Sequence, residues 1–288
     1  MVLFIVLTAV SILFAMSLQR FLFLKLFSKN LKCLHTDYFI KFEEKKMKKK
    51  LAFFTFMLPL FLFSQNSIVN PWTTNIGGSL NESIEGNVSV DHLGNIYVCG
   101  TTKSPDSIAT SGTYQDSISN GCIGLYYYNA YLIKLDSSGN KIWGTYFGTY
   151  CSDTHGTSCS VDSLGNIYLV GHAKNPYNFN PFPLTTSGAH QETYGGGTYD
   201  GFLAKFDSTG NLSWSTYYGG SDRDRFNDCS VDEYGNIYAS GYSKSSNNIS
   251  SSPLVHQQSN GGGYDGVLTK FSSSGSLIWG TYFGGNGD

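Results

Sequence analysis

From Val88 onward, apolar and polar positions alternate in short runs. Each run holds a few Val, Ile, Leu, Tyr, Phe or Trp residues and is closed by a cluster of Gly, Asn, Asp or Ser. Such runs, bounded by turn formers, predict β-strands. No sustained helical period is present behind the leader. The stretch that ends the chain shows the pattern most fully. Cys229 to Val231 reads as a first strand, and Asp232-Glu233-Tyr234-Gly235-Asn236 as a turn, with Gly and Asn supplying positive φ. Ile237 to Tyr242 reads as a second strand, followed by a polar loop, Ser243 to Gly263. Gly266 to Phe271 is a third strand, Ser272 to Gly275 a second hairpin turn, and Leu277 to Phe283 a fourth strand.

This unit is repeated. Asp91-His92-Leu93-Gly94-Asn95-Ile96-Tyr97 returns as Asp162-Ser163-Leu164-Gly165-Asn166-Ile167-Tyr168 and as Asp232-Glu233-Tyr234-Gly235-Asn236-Ile237-Tyr238. A second motif, Lys134 to Trp143, matches Lys205 to Trp214 and Lys270 to Trp279, and Trp72 fits the same slot. The period is close to 70 residues, with units at about 72–142, 143–213 and 214–279. Four antiparallel strands on this beat predict an all-β chain of β-propeller blades. A stacked β-solenoid competes, but solenoid coils are shorter and lack paired hairpin turns. Three blades do not close a propeller, which takes about four to eight. Residues 280–288 align with the entry to a fourth unit, so an incomplete propeller, a fragment of a longer protein, is expected.

Ahead of the repeats, Met47-Lys48-Lys49-Lys50 precedes an uncharged apolar run, Leu51 to Phe63, and then Ser64-Gln65. A basic segment, a short apolar core and a small residue at the break read as a signal peptide over 47–64, with cleavage after Ser64. Residues 1–46 contain a further apolar stretch, Met1 to Leu18, which is either an extra membrane anchor or upstream sequence preceding a true start at Met47; we favour the second. Export would place the repeats, residues 65–288, outside the cell or on its surface, with membrane contact only through the leader.

Charge changes the picture modestly. The whole chain has 19 basic and 21 acidic residues, but ten of the basic and three of the acidic residues lie in the first 50. The rest therefore carries 9 basic against 18 acidic residues, a net of −9. That balance argues against nucleic acid, whose binding rests on neutralising phosphates.

Most candidate chemistry falls on repeated positions, and a residue repeated in every blade serves the blade. Asp91, Asp162 and Asp232, with Asn95, Asn166 and Asn236, read as structural turn residues. Asp222, Asp224 and Asp228, beside Asp153 of the preceding copy, are weak Ca²⁺ candidates, because Arg223 and Arg225 offset their charge and the spacing is not that of an EF-hand. No cofactor is otherwise expected. His190 and His256 occupy equivalent positions, with Tyr114 in the first unit. His92, His155 and His172 read as scattered, without metal-ligand spacing. There is no Gly-x-Ser-x-Gly elbow and no phosphate loop in a strand-to-helix context. The tryptophans and paired aromatics read as packing rather than sugar platforms. Cys99, Cys159 and Cys229 read as small buried residues. Cys122 and Cys151 lie in loops peculiar to one region and are expected to pair as a disulfide after export.

The Asp-x-x-Gly-Asn-Ile-Tyr motif, Gly195 to Asp207, Trp214 to Gly220 and Phe182 to Gln191 together resemble the SBBP family of bacterial β-propeller repeats. The resemblance covers about residues 72–288. The first unit departs most, with Asn129-Ala130-Tyr131 where Asp200-Gly201-Phe202 stands later and with no triple Gly. The Ser64-Gln65 junction likewise resembles signal peptides common in Bacteroidetes. The resemblance implies a secreted or surface propeller of about seven blades and no established chemistry.

Two functions remain in view. One is a binding or scaffold module holding an extracellular protein or glycan on its loops, of which Ser104 to Tyr128 and Asn175 to Tyr194 are the most irregular. The other is a secreted carbohydrate-active enzyme, a lyase or hydrolase, which requires single-copy acids or histidines to converge at the propeller axis. Recurrence favours binding.

Overall fold

A computed structural model describes residues 72–118, 127–174, 184–251 and 253–287. The chain divides into two units, Met1–Pro71 and Trp72–Asp288, and the described residues all lie in the second. The signal peptide, residues 1–46, Cys122 and the first part of the loop at Asn175 lie outside them.

The described residues form thirteen strands and no helix. The first sheet contains β1 (Glu82–Ser83), β2 (Ser89–Val90), β3 (Ile96–Thr102), β4 (Asn129–Leu135) and β5 (Lys141–Phe147). The second contains β6 (Thr154–Val161), β7 (Ile167–Ala173), β8 (Asp200–Phe206) and β9 (Leu212–Tyr218). The third contains β10 (Asp224–Val231), β11 (Ile237–Ser243), β12 (Asp265–Phe271) and β13 (Leu277–Phe283). Each sheet is an antiparallel meander in chain order, and in the first sheet β1 and β2 share one lane against β3. The fold is all-β: three four-lane blades that do not close on themselves.

The turns explain the hairpins. Asp162 Oδ1 accepts the N–H groups of Leu164 (2.9 Å) and Asn166 (2.8 Å), while Oδ2 accepts the Asn166 amide (2.8 Å) and the Tyr168 hydroxyl (3.1 Å). Asp91 and Asp232 make the same four contacts. Gly165 closes the turn at φ 80°, a value costly for any residue with a Cβ. Burial works against the Asp91 carboxylate, but its hydrogen bonds win and hold its pKa below the usual range. At Asp232 the Asn236 amide is the leading cause of a similar lowering.

The first strand of the last blade is longer than its sequence suggested, Asp224–Val231 rather than Cys229–Val231. A bulge between Phe226 and Asp228 breaks the alternation, so the pattern of the first half does not read as a strand.

Successive blades pack through their first strands. β6 lies against β2, β3 and β4, and β10 lies against β6, β7 and β8. One apolar core fills the space between the first and second blades, around Phe147, Leu169, Phe202 and Phe206. A second lies between the second and third, around Tyr218, Phe226, Ala239 and Phe271. The outer strands add a lock. The indole N–H of Trp143 donates to the Ser208 carbonyl (3.0 Å) in the next blade's outer turn, and Trp214 does the same to Ser273 (3.2 Å). Trp72 reaches Ser137 in the same way (3.2 Å).

Candidate functional site

One register position holds three different residues. Ser83 faces Thr101, His155 faces His172, and Arg225 faces Tyr242, each at the start of a blade's first strand. Position is constant and chemistry is not, which is the reverse of the turn aspartates.

Because β6 and β7 pair antiparallel, His155 and His172 stand directly opposite on one face. Their rings stack at 4.7 Å with an interplanar angle of 4°. Tyr128, just before β4, lies 5.3 Å from His155, and Tyr199, just before β8, meets His172 edge-on at 4.7 Å. The four rings form a file running from the first blade into the second. His172 is 5% exposed, and its Nδ1 has no hydrogen-bond partner. Burial, with the neighbouring His155, Arg225 and Lys174, lowers its pKa to about 2. Burial also lowers that of His155, against the pull of Glu85 and Asp153. Both imidazoles are therefore neutral at physiological pH.

Cations surround this file. Lys103 sits 4.1 Å over the Tyr128 ring, Lys174 5.0 Å and Arg223 5.4 Å over Tyr199, and Lys244 5.7 Å over Tyr264. Arg223 also donates to the Tyr264 hydroxyl (3.0 Å). Lys174 pairs with Asp153 (3.4 Å). Among the described residues, Lys103, Arg223 and Lys244 make no salt bridge.

The remaining ion pair crosses a blade. Arg225 Nη2 of the third blade meets Glu85 Oε2 of the first at 3.1 Å, in front of β6. The reason lies in the first blade's inner lane. From Glu82 to Val90 it takes nine residues, where β6 and β10 take eight each. The extra residue breaks the ladder into β1 and β2, and residues 84–88 leave the sheet. Gly86 presses so closely on β6 that a Cβ there would lie 1.8 Å from the Thr157 carbonyl oxygen. This excursion carries Glu85 to Arg225.

The other candidates fall elsewhere. Asp222 accepts the Arg223 N–H (2.8 Å) in the loop before β10. Asp224 is buried, accepting the Gly220 N–H (2.6 Å) and the Ser245 hydroxyl (2.7 Å). Asp228 accepts the Ser158 hydroxyl (2.6 Å) of the second blade. The three thus have separate partners, and no group of three His, Cys, Asp or Glu fit to hold a metal ion is found among the described residues. Asp153, aligned with Asp222 by sequence, instead matches Arg223, since each accepts the N–H of the equivalent lysine (Lys174 and Lys244). Cys99, Cys159 and Cys229 are free and buried; the hydrogen bond with Cys159, and then burial, push the Cys99 thiol up, and burial pushes up that of Cys229. Cys151 is disulfide-bonded, while Cys122 lies outside the described residues. His190 packs edge-on against Phe271 of the following blade (5.9 Å). The adjacent Gln191 ties its loop to the outer strand, donating its N–H to Thr216 and accepting the Gly219 N–H.

Sequence reasoning left His155 and His172 scattered and overlooked Glu85. A signal was present: substitution at a position the other copies fix in register, and one surplus residue ahead of Asp91.

Blades of this form, with Asp-turn hairpins and tryptophan locks between neighbours, define a β-propeller repeat protein. A family model of the SBBP beta-propeller repeat matches residues 72–106 and 142–180. The second match opens beside Trp143, in the outer strand of one blade, and runs on into the next. In a search of curated proteins none matched the chain.

Proposed function

We propose that this chain is an exported binding or scaffold module whose inner-strand cluster contacts an extracellular glycan or protein. The observation that carries the reading is the file Tyr128–His155–His172–Tyr199, flanked by Lys103, Lys174, Arg223 and Arg225. Of these, His155, His172, Arg223 and Arg225 are single-copy side chains at positions where the repeat varies, whereas the tyrosines and lysines recur in each blade, as Tyr264 and Lys244 in the third. The repeat family supports a binding role. Export is supported by the leader at 47–64 and by a disulfide-bonded Cys151, since disulfides persist in oxidising compartments.

A carbohydrate-active enzyme would also need single-copy groups to converge, and Glu85, His155, His172 and Arg225 do so. Their state favours binding. His172 is neutral and buried, far from the pKa near working pH that a general acid or base needs. Glu85 is engaged by Arg225. The test is a screen of mature chain 65–288 on glycan and extracellular-protein arrays beside lyase and hydrolase assays. Retained ligand without turnover is expected. Turnover abolished by His155→Ala would overturn the proposal.

A further inference from the structure

Arg225 already holds a carboxylate, and it is one supplied by an interrupted strand of another blade. From this we infer that the inner-strand cluster is a uronate-binding site: it takes the carboxylate of an acidic glycan at Arg225 and Arg223, and Glu85 occupies that seat until the ligand displaces it. The inference rests on the binding role proposed above.

Three observations converge. First, Glu85 reaches Arg225 only because the first blade's inner lane carries an extra residue and leaves the sheet; the other two blades keep continuous strands there. Second, the contact is easily exchanged. The two side chains are 30% and 28% exposed, so solvent screens the pair and leaves it weakly held. Third, the seat has donors to spare. Arg225 Nε is buried without a hydrogen-bond partner, and Arg223 stands alongside without a salt bridge among the described residues. A planar guanidinium fork suits a carboxylate. The ring file next to the cations favours a sugar acid over an acidic peptide, because the C–H face of a pyranose packs on aromatic surface. Glu85 lies at the edge of the excursion's contact with β6 at Gly86, between the exposed Ile84 and Val88 (53% each), so its side chain can turn away from Arg225 without uncovering a core.

The probe is oligogalacturonate, titrated calorimetrically into mature chain 65–288, with dextran and poly-glutamate in parallel. Glu85→Gln keeps the shape and removes the competing charge; it should bind oligogalacturonate about fivefold tighter or more. Arg225→Gln should weaken binding by about tenfold. A gain from Glu85→Gln cannot come from misfolding, so it decides the matter even if the arginine variant is unstable. Affinity should fall as salt rises. Unchanged affinity in Glu85→Gln, or tighter binding of poly-glutamate than of oligogalacturonate, overturns the inference while leaving a binding module in place. If no variant binds any array ligand, the binding role itself fails.

Discussion

At the scale of single residues, burial sets chemistry more than identity does, and Asp200 shows it. Asp200 and Asp224 flank Gly219 at the junction of the second and third blades. A Cβ on Gly219 would lie 2.7 Å from Asp200 Oδ1 and 2.8 Å from Asp224 Oδ2. Asp200 Oδ2 accepts the Gly195 N–H (2.5 Å), whereas its Oδ1 is buried without a partner. Burial raises the Asp200 pKa to about 8; the Gly195 bond opposes this and Asp224 adds to it. In the unfolded chain the group titrates near 3.8. A raised folded value means the stabilisation is complete below about pH 4 and is lost as pH climbs through about 8. The first blade carries Asn129 at this position, beside Gly148. Asp200→Asn is therefore expected to flatten the pH dependence of unfolding between pH 4 and 8. It should also stabilise the protein at pH 8 by about 1–3 kcal/mol, the scale of an unsatisfied buried polar group. Urea melts of both proteins across that range check it, and parallel curves would refute it. The turn aspartates were legible in the sequence because a local hydrogen-bond pattern recurs with its motif. Asp200 was not, since its partner across Gly219 lies in another blade.

At the scale of elements, what joins blade to blade is a tryptophan on a glycine. Gly210 has φ 86°, and a Cβ there would stand 3.0 Å from the Trp143 ring. Trp143 is only 6% exposed and hydrogen-bonded to Ser208, so the ring cannot retreat. Gly188 has nearly the same backbone, φ 80°, with nothing within 4 Å of its virtual Cβ. The two glycines separate conformational strain from packing. Gly188→Ala should cost about 1 kcal/mol, the strain alone. Gly210→Ala should cost about 1–3 kcal/mol more, the range of overpacking. Equal shifts in denaturation midpoint would dismiss the lock. The sequence showed Trp and Ser-x-Gly recurring in step, but it could not show that each Trp serves the next copy's glycine. The same blindness hid the histidine pair. Residues 155 and 172 face each other only through the β6–β7 register, and Glu85 reaches Arg225 only over an intervening blade.

Across the whole molecule, the repeat in sequence and the blade in space are offset by one strand. A unit opening at Trp143 contributes β5 to one sheet and β6, β7 and β8 to the next. Each covalent unit therefore stitches two blades, and stability should behave as blade terms plus neighbour terms. Burial is graded accordingly. β7, in the middle blade, is buried at all seven residues, whereas β11 is buried at three and β13 at three. The third blade's free face exposes Leu268 (41%) and Phe283 (68%), whose counterparts Leu203 and Tyr218 in the second blade are buried by the third. Apolar alternation carries no hint of this gradient, because the three copies share nearly the same pattern and differ in what lies beside them. Local opening depends on the neighbour contacts that must be broken. In native-state hydrogen exchange, the amides of β12 and β13 should exchange about tenfold or more faster than those of β8 and β9, since losing one neighbour interface forfeits at least about 1.4 kcal/mol. Uniform protection across the three sheets would mean that the blades unfold as one unit, with the tryptophan locks and shared cores coupling them more strongly than each blade is held by its own strands.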